Sequence, residues 1–241
     1  AATAITAITV QNTLGVQAVH PVPAELVGEQ MQAVMEDLRP DAIKIGMTGN
    51  VEIISEIARL LHQYSPRQVV LDPVMVSTSG HNLMTDEAVE AICTLLLPEV
   101  SLVTPNLHEA AVLLQQPIHT VDDMEHAAHL VYEKYHCACL VKGGHLTGNE
   151  MCDVLYDGHE LHLFGARRIH SGNLHGTGCT LSSAIATFLA QGFPLYEAVE
   201  LAKTYITKAI EAGKDLHIGQ GNGPLCHIPY LVNPVNPLTE E

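Results

Sequence analysis

The sequence predicts an α/β protein, with a mostly parallel central sheet, helices on both faces and a small antiparallel hairpin at one edge. Three observations carry that reading. Short, nearly continuous apolar runs such as Ile43-Lys44-Ile45, Val69-Val70-Leu71 and Cys139-Leu140-Val141 alternate with stretches of helical periodicity, as strands buried on both faces do. The connections are short, which a repeated strand–helix unit allows. Distinctive residues also recur where the strands end: Gln11, Met47, Asp72, Asn106 with Glu109, Lys142 and Gly176–Cys179. In open parallel sheets ligands bind outside the carboxyl ends of the strands.

Taken in order, residues 2–10 alternate Ala, Ile and Thr as a strand. Pro23 opens a helix carrying Leu26, Val27, Met31, Val34, Met35 and Leu38, which Arg39-Pro40 stops. After strand 41–45 and the turn Gly46–Asn50, Val51, Ile54, Ile57, Ala58 and Leu61 mark a second helix. Strand 68–71 ends in Asp72-Pro73-Val74-Met75, and Val76–Leu83 reads as a mobile loop. A helix over 86–97 and a strand over 100–103 follow. Asn106 starts the next helix, and Asp122-Asp123 caps one running to Tyr135. Residues 151–156 and 160–164 alternate around Asp157-Gly158 as a hairpin. The turn at 172–178, a buried helix over Leu181–Leu189 and a helix over 196–212 complete the set. No linker, low-complexity block or repeat interrupts residues 1–241, which read as a single domain.

Formal net charge is −16, which argues against nucleic acid or an anionic membrane as partner. No apolar run reaches membrane-span length, and the N-terminus lacks the basic segment of a signal peptide. The six cysteines form no Cys-x-x-Cys pair, so they are expected reduced and the protein cytoplasmic. Fifteen histidines include no His-Glu-x-x-His, and His126/His129 and His159/His162 lack companion ligands of the right type for a metal site.

On an acidic chain, an anionic ligand needs a local site. Gly176-Thr177-Gly178-Cys179 supplies one, since a glycine-rich helix start leaves backbone N–H groups bare and adds the positive end of the dipole. An ordinary glycine-containing helix start reads the same way. Cys179 in the first turn is placed where a thiol pKa can be lowered. Lys142, flanked by Gly143-Gly144, can approach a phosphate without crowding, or can be a surface lysine on a turn. Asn106 and Glu109 can form a helix cap while one of them holds Mg²⁺ through water. Asp72 suits Mg²⁺, phosphate or a plain strand-ending turn. Together these residues fit phosphoryl transfer, which asks the protein for positioning and charge stabilisation.

His175-Gly176-Thr177-Gly178-Cys179-Thr180-Leu181-Ser182 resembles the anion-hole signature of ribokinase-like kinases. Cysteine in place of their usual Asp resembles the hydroxymethylpyrimidine/phosphomethylpyrimidine kinases of thiamine biosynthesis. Ala7–Thr13, Lys44–Met47, Leu71–Met75, Thr104–Ala110, Lys142–His145 and Gly219–Pro224 resemble further segments of that family. Its members open with a strand and a glycine-rich turn bearing an Asp near the pyrimidine, and this sequence starts after that element. The resemblance implies ATP and Mg²⁺ as cofactors, with Lys142, Asn106, Glu109 and Thr177 on ATP and Glu109 and Asp72 on the metal. It places Gln11, Met47, Val74 and Cys179 on the aminopyrimidine, Cys179 with Gly176–Gly178 at the chemistry, and loop 76–82 over the site. It also implies a homodimer. Alternatives are a pyridoxal kinase of the same superfamily, a non-catalytic pyrimidine-binding protein, and a His-rich metal-binding protein.

Overall fold

The computed structural model describes residues 1–75, 84–144 and 150–229. The expected loop Val76–Leu83 and His145 lie outside them. Six strands form the main sheet in the order β3 (Ile43–Ile45), β4 (Val69–Leu71), β5 (Leu102–Val103), β6 (Ala138–Val141), β7 (Glu150–Tyr156) and β8 (Leu161–Arg167). β3 to β6 are parallel, and β7 and β8 add the expected antiparallel edge hairpin.

Residues 2–10 depart from expectation. Among the described residues β1 (Ala7–Asn12) pairs only with β2 (Gly15–Pro21), in a separate two-stranded antiparallel sheet. The turn between them, Thr13-Leu14, lacks the Asn-Gly or Asp-Gly dipeptide that marks a tight hairpin in sequence. Gln11 therefore reaches the site from a hairpin rather than from a parallel strand.

Helices α1 (Ala24–Asp37), α2 (Val51–Tyr64), α3 (Asp86–Ala91), α4 (Leu107–Leu114), α5 (Val121–Tyr135), α6 (Thr177–Ala190) and α7 (Leu195–Gly213) cover both faces. The strands alternate as a period of two requires. Val69, Leu71, Val103, Cys139 and Val141 face α2, α3 and α5 with Ile54, Ala88, Met124 and Val131. Val70, Leu102, Leu140 and Leu155 face α6 and α7 with Leu181, Ile185, Val199 and Ala202. The helix expected over 86–97 is α-helical only to Ala91, then widens to a π turn at Ile92–Leu96 and closes as a 3₁₀ turn at Leu97–Glu99. Pro98, with no N–H to donate, stops it. α5 is capped by Thr120, with Asp123 returning the bond, and not by Asp122. α6 begins at Thr177, capped by Gly176, so Cys179 lies in its first turn as expected and the helix starts four residues ahead of the apolar run Leu181–Leu189. None of the helices among the described residues is long and apolar enough to cross a membrane.

Behind the sheet's active end, Lys203 of α7 pairs with Asp153 of β7. The other oxygen of Asp153 accepts the Gly143 N–H at 2.8 Å. A Cβ on Gly143 would lie 1.9 Å from the Cys152 carbonyl oxygen, a backbone atom that cannot step aside. Gly143→Ala is therefore expected to destabilise the fold by about 3 kcal/mol through overpacking, read as a lower urea midpoint.

Candidate active site

Three strand ends meet around one carboxylate. Asp72 follows β4 and is 2% exposed, its N–H donating to the Ile45 carbonyl at 2.9 Å. Thr104, at the end of β5, donates its hydroxyl to Asp72 Oδ1 at 3.2 Å. Lys142, at the end of β6, hangs its own N–H on Pro105 O at 2.8 Å and donates Nζ to Asp72 Oδ1 at 2.8 Å. Burial works against the Lys142 charge, but Asp72 and Glu109 outweigh it and hold the ammonium above its ordinary pKa.

The glycine turn closes over that ammonium. Gly176 caps α6 in the left-handed region, at φ 85°, where a side chain would be strained. A Cβ on Gly178 would sit 3.2 Å from Lys142 Nζ and 3.6 Å from Asp72 Oδ2. Thr177 turns both its N–H and its hydroxyl back to the Leu174 carbonyl, at 3.3 and 2.7 Å. It is thus withdrawn from the four amides expected to meet an anion. The N–H groups of Gly178 and Cys179 have no protein acceptor among the described residues, as first-turn amides of a helix do not.

The turn is braced from behind. Buried Asn173 donates Nδ2 to the carbonyls of Gly213 and Leu216, both at 2.7 Å. His175 N–H donates to Gly223 O at 3.1 Å. A Cβ on Gly223 would lie 1.9 Å from Asn173 Oδ1, which is why the Gly219–Pro224 segment can lie flat against the turn. A cavity of about 580 Å³ opens beside Gly176 and Cys179, between Thr180, Tyr205 and His227.

Cys179 corrects an expectation. Its thiol is pushed up, not down, from the ordinary range: desolvation leads, and a hydrogen bond to the Asp72 carboxylate adds to it, against Lys44 and Lys142. The helix end is outweighed by that desolvation first, with the nearby Asp72 carboxylate adding to it.

Asn106 and Glu109 form a reciprocal capping box: Asn106 Oδ1 accepts Glu109 N–H at 2.9 Å, and Glu109 Oε2 accepts Asn106 N–H at 2.8 Å. The plain capping role is therefore real, and Glu109, 4% exposed, is also placed close enough to act on Lys142. Desolvation raises the Glu109 pKa, and Lys142 opposes it. Between the unfolded carboxyl's value near 4.5 and the higher folded one, the folded chain binds more protons, so this group's contribution falls as pH rises through that window. Glu109→Gln should accordingly gain stability relative to the parent as pH climbs through that window and hold the gain above it, while losing catalytic rate; urea midpoints between pH 4 and 8 check the first half.

Met47 and Val74, at the ends of β3 and β4, are half-buried. The Met47 carbonyl accepts the Thr6 hydroxyl at 2.6 Å, and Val74 N–H donates to Asp72 O at 2.8 Å. Gln11 lies with its Nε2 3.1 Å from His175 Nε2. Three contributors escaped the reading of the sequence as site residues: Thr104, Lys44 and His175. Each sits in a segment that the family resemblance covers, but a lone Thr, Lys or His at a strand or turn end carries no spacing signal.

The phosphomethylpyrimidine kinase family profile matches residues 1–226. A hydroxymethylpyrimidine/phosphomethylpyrimidine kinase of Rhizobium meliloti is 50% identical over 227 residues, 94% of this chain and 85% of that one. One from Bacillus subtilis is 39% identical over 234 residues, 97% and 86% of the two chains. Among solved structures, the phosphomethylpyrimidine kinase of Clostridium difficile superposes with TM-score 0.77 at 42% identity, covering 86% of this chain and 85% of that one. An ADP complex of Bacillus subtilis pyridoxal kinase superposes with TM-score 0.84 at 31% identity, covering 95% and 86%. The fold is thus ribokinase-like, and identity separates the two activities where overall shape does not. With a bare-amide turn over a paired lysine and these relatives across nearly its whole length, the chain belongs to the phosphomethylpyrimidine kinase family.

Proposed function

We propose that the chain transfers the γ-phosphoryl group of ATP to the hydroxymethyl oxygen of 4-amino-5-hydroxymethyl-2-methylpyrimidine. A second transfer, to the monophosphate so formed, gives the diphosphate used in thiamine diphosphate biosynthesis. One observation carries this most: an ammonium 3.2 Å from where a Gly178 side chain would begin, beside two amides without protein acceptors. Positive charge and aligned donors converge on one point, as stabilising a transferring phosphoryl group requires.

In this reading the acceptor oxygen attacks the γ-phosphorus, the bond to the β–γ bridging oxygen breaks, and ADP leaves. Lys142 and the amides of Gly178 and Cys179 hold charge on the transferring oxygens. Gln11 meets the pyrimidine edge, Met47 and Val74 pack against the ring, and Cys179 takes the proton of the alcohol. Mg²⁺, when bound, would supply charge neutralisation for the transfer. Among the described residues no group of three His, Cys, Asp or Glu side chains is disposed to hold a metal. Asp72 and Glu109 would hold the cation, through water, as Mg²⁺ is commonly bound by one or two carboxylates. The six free thiols and the acidic surface suit a cytoplasmic enzyme, and we take it to work as a homodimer.

The test is turnover with ATP and Mg²⁺ of the aminopyrimidine alcohol, its monophosphate and pyridoxal. Phosphorylation of both pyrimidines, with pyridoxal the poorer acceptor by kcat/KM, is expected. Pyridoxal as the better acceptor would replace this reading with its nearest rival, and pyrimidine binding with no ATP turnover would replace it with a binding protein.

A further inference from the structure

The hairpin β1–β2 is fixed at both ends. Near its base the Thr6 hydroxyl donates to Met47 O. At its tip Thr13 Oγ1 accepts the N–H groups of Gln220 and Gly221 at 3.2 and 3.3 Å. Between these anchors the pairing register shifts at Val10/Gln11, and such a bulge re-aims the side chain it carries. Gln11 Nε2 then lies 3.1 Å from His175 Nε2. His175 is itself located by its N–H on Gly223, by its bridge to Pro224, and by its place immediately before Gly176.

We propose that His175 is a positioning residue: it sets which way the Gln11 amide faces, and so gives the site its preference for a ring nitrogen beside an exocyclic amine. The inference deepens the kinase reading above and rests on it. A primary amide has two N–H bonds, one on the same edge as the carbonyl oxygen and one pointing sideways. With the sideways N–H given to an imidazole lone pair, on the tautomer protonated at Nδ1, the donor–acceptor edge stays turned to the ligand. That edge pairs in two bonds with a ring nitrogen and its neighbouring amine, as Gln pairs with adenine. Reversing the amide would set the ring nitrogen against the carbonyl oxygen and the amine against the amide nitrogen. Pyridoxal gives no such pair, because a methyl-bearing carbon separates its ring nitrogen from its hydroxyl.

His175→Leu and His175→Gln test this in steady-state assays with the aminopyrimidine alcohol, pyridoxal and ATP. His175→Leu should raise KM for the aminopyrimidine about tenfold or more, with kcat and the KM values for ATP and pyridoxal little changed. His175→Gln, whose amide oxygen reaches the Nε2 position, should restore most of the loss. Gln11→Leu should weaken the aminopyrimidine alone in the same way, and His175→Leu added to it should cost little more. The proposal fails if His175→Leu lowers kcat on both acceptors at unchanged KM, if KM for ATP rises, if His175→Gln is no better than His175→Leu, or if the two losses simply add. Should His175→Leu not fold, the comparison of His175→Gln with Gln11→Leu decides: preference kept in the first and lost in the second supports it, and lost in both overturns it. A parent chain that turns over no aminopyrimidine would instead remove the activity on which the inference stands.

Discussion

Lys142→Met is expected to lower kcat/KM for phosphoryl transfer by about 10²- to 10³-fold. The ammonium stands beside the bare amides of the turn, so its loss leaves the transferring charge with dipoles alone. The same change should destabilise the fold by about 3–5 kcal/mol, because Asp72 is left as a buried carboxylate without its cation. The two effects can be separated. Adding Asp72→Asn removes the orphaned charge, so the double variant should recover much of the lost stability and none of the lost rate. Because the ammonium is held above its ordinary pKa of 10.5, its pairing contributes fully below that value and is lost only as pH climbs past the folded one. The stability gap between parent and variant should therefore be flat across neutral pH. A Lys142→Met enzyme with near-parental kcat/KM would leave the lysine a structural partner of Asp72 and nothing more.

Cys179→Ala should slow phosphorylation of the alcohol by about 10²- to 10⁴-fold and of the monophosphate far less. The alcohol must lose a proton as it attacks. The phosphate oxygen of the second acceptor is already ionised near neutral pH and asks for no base. The raised thiol adds a second signature: the first step should accelerate as pH rises toward the thiol's ionisation, and that slope should vanish in Cys179→Ala. Single-turnover assays of each step across pH measure both. Equal losses on the two acceptors would make Cys179 a donor or packing residue of the turn.

Where local chemistry decides structure, the sequence was readable. Val69-Val70-Leu71 and Cys139-Leu140-Val141 are strands because an apolar run can be satisfied only by cover on both faces. The Asn106–Glu109 cap was visible because both halves of the box lie three residues apart. The convergence of Asp72, Lys142 and Gly178 followed from strand ends in a parallel sheet. What the residues did not show depends on partners distant along the chain. β2 (Gly15–Pro21) has no turn signal ahead of it, and the sequence reading assigns it to no element. The direction of the Cys179 shift is set first by desolvation in the folded chain, with Asp72, 107 positions away in sequence, adding to it, and no helix-end rule contains either. Gln11 and His175, separated by 164 positions, were each in view and could not be paired.

The Asp72–Lys142 ion pair joins residues 70 positions apart, one at the end of β4 and one at the end of β6, with β5 laid between them. The ammonium thus acquires its place only once three neighbouring strands are in register. Catalytic competence is in this sense a property of assembled architecture: a half-built sheet has no partial version of the phosphate cradle to offer, and a newly made chain stays silent until its middle has closed.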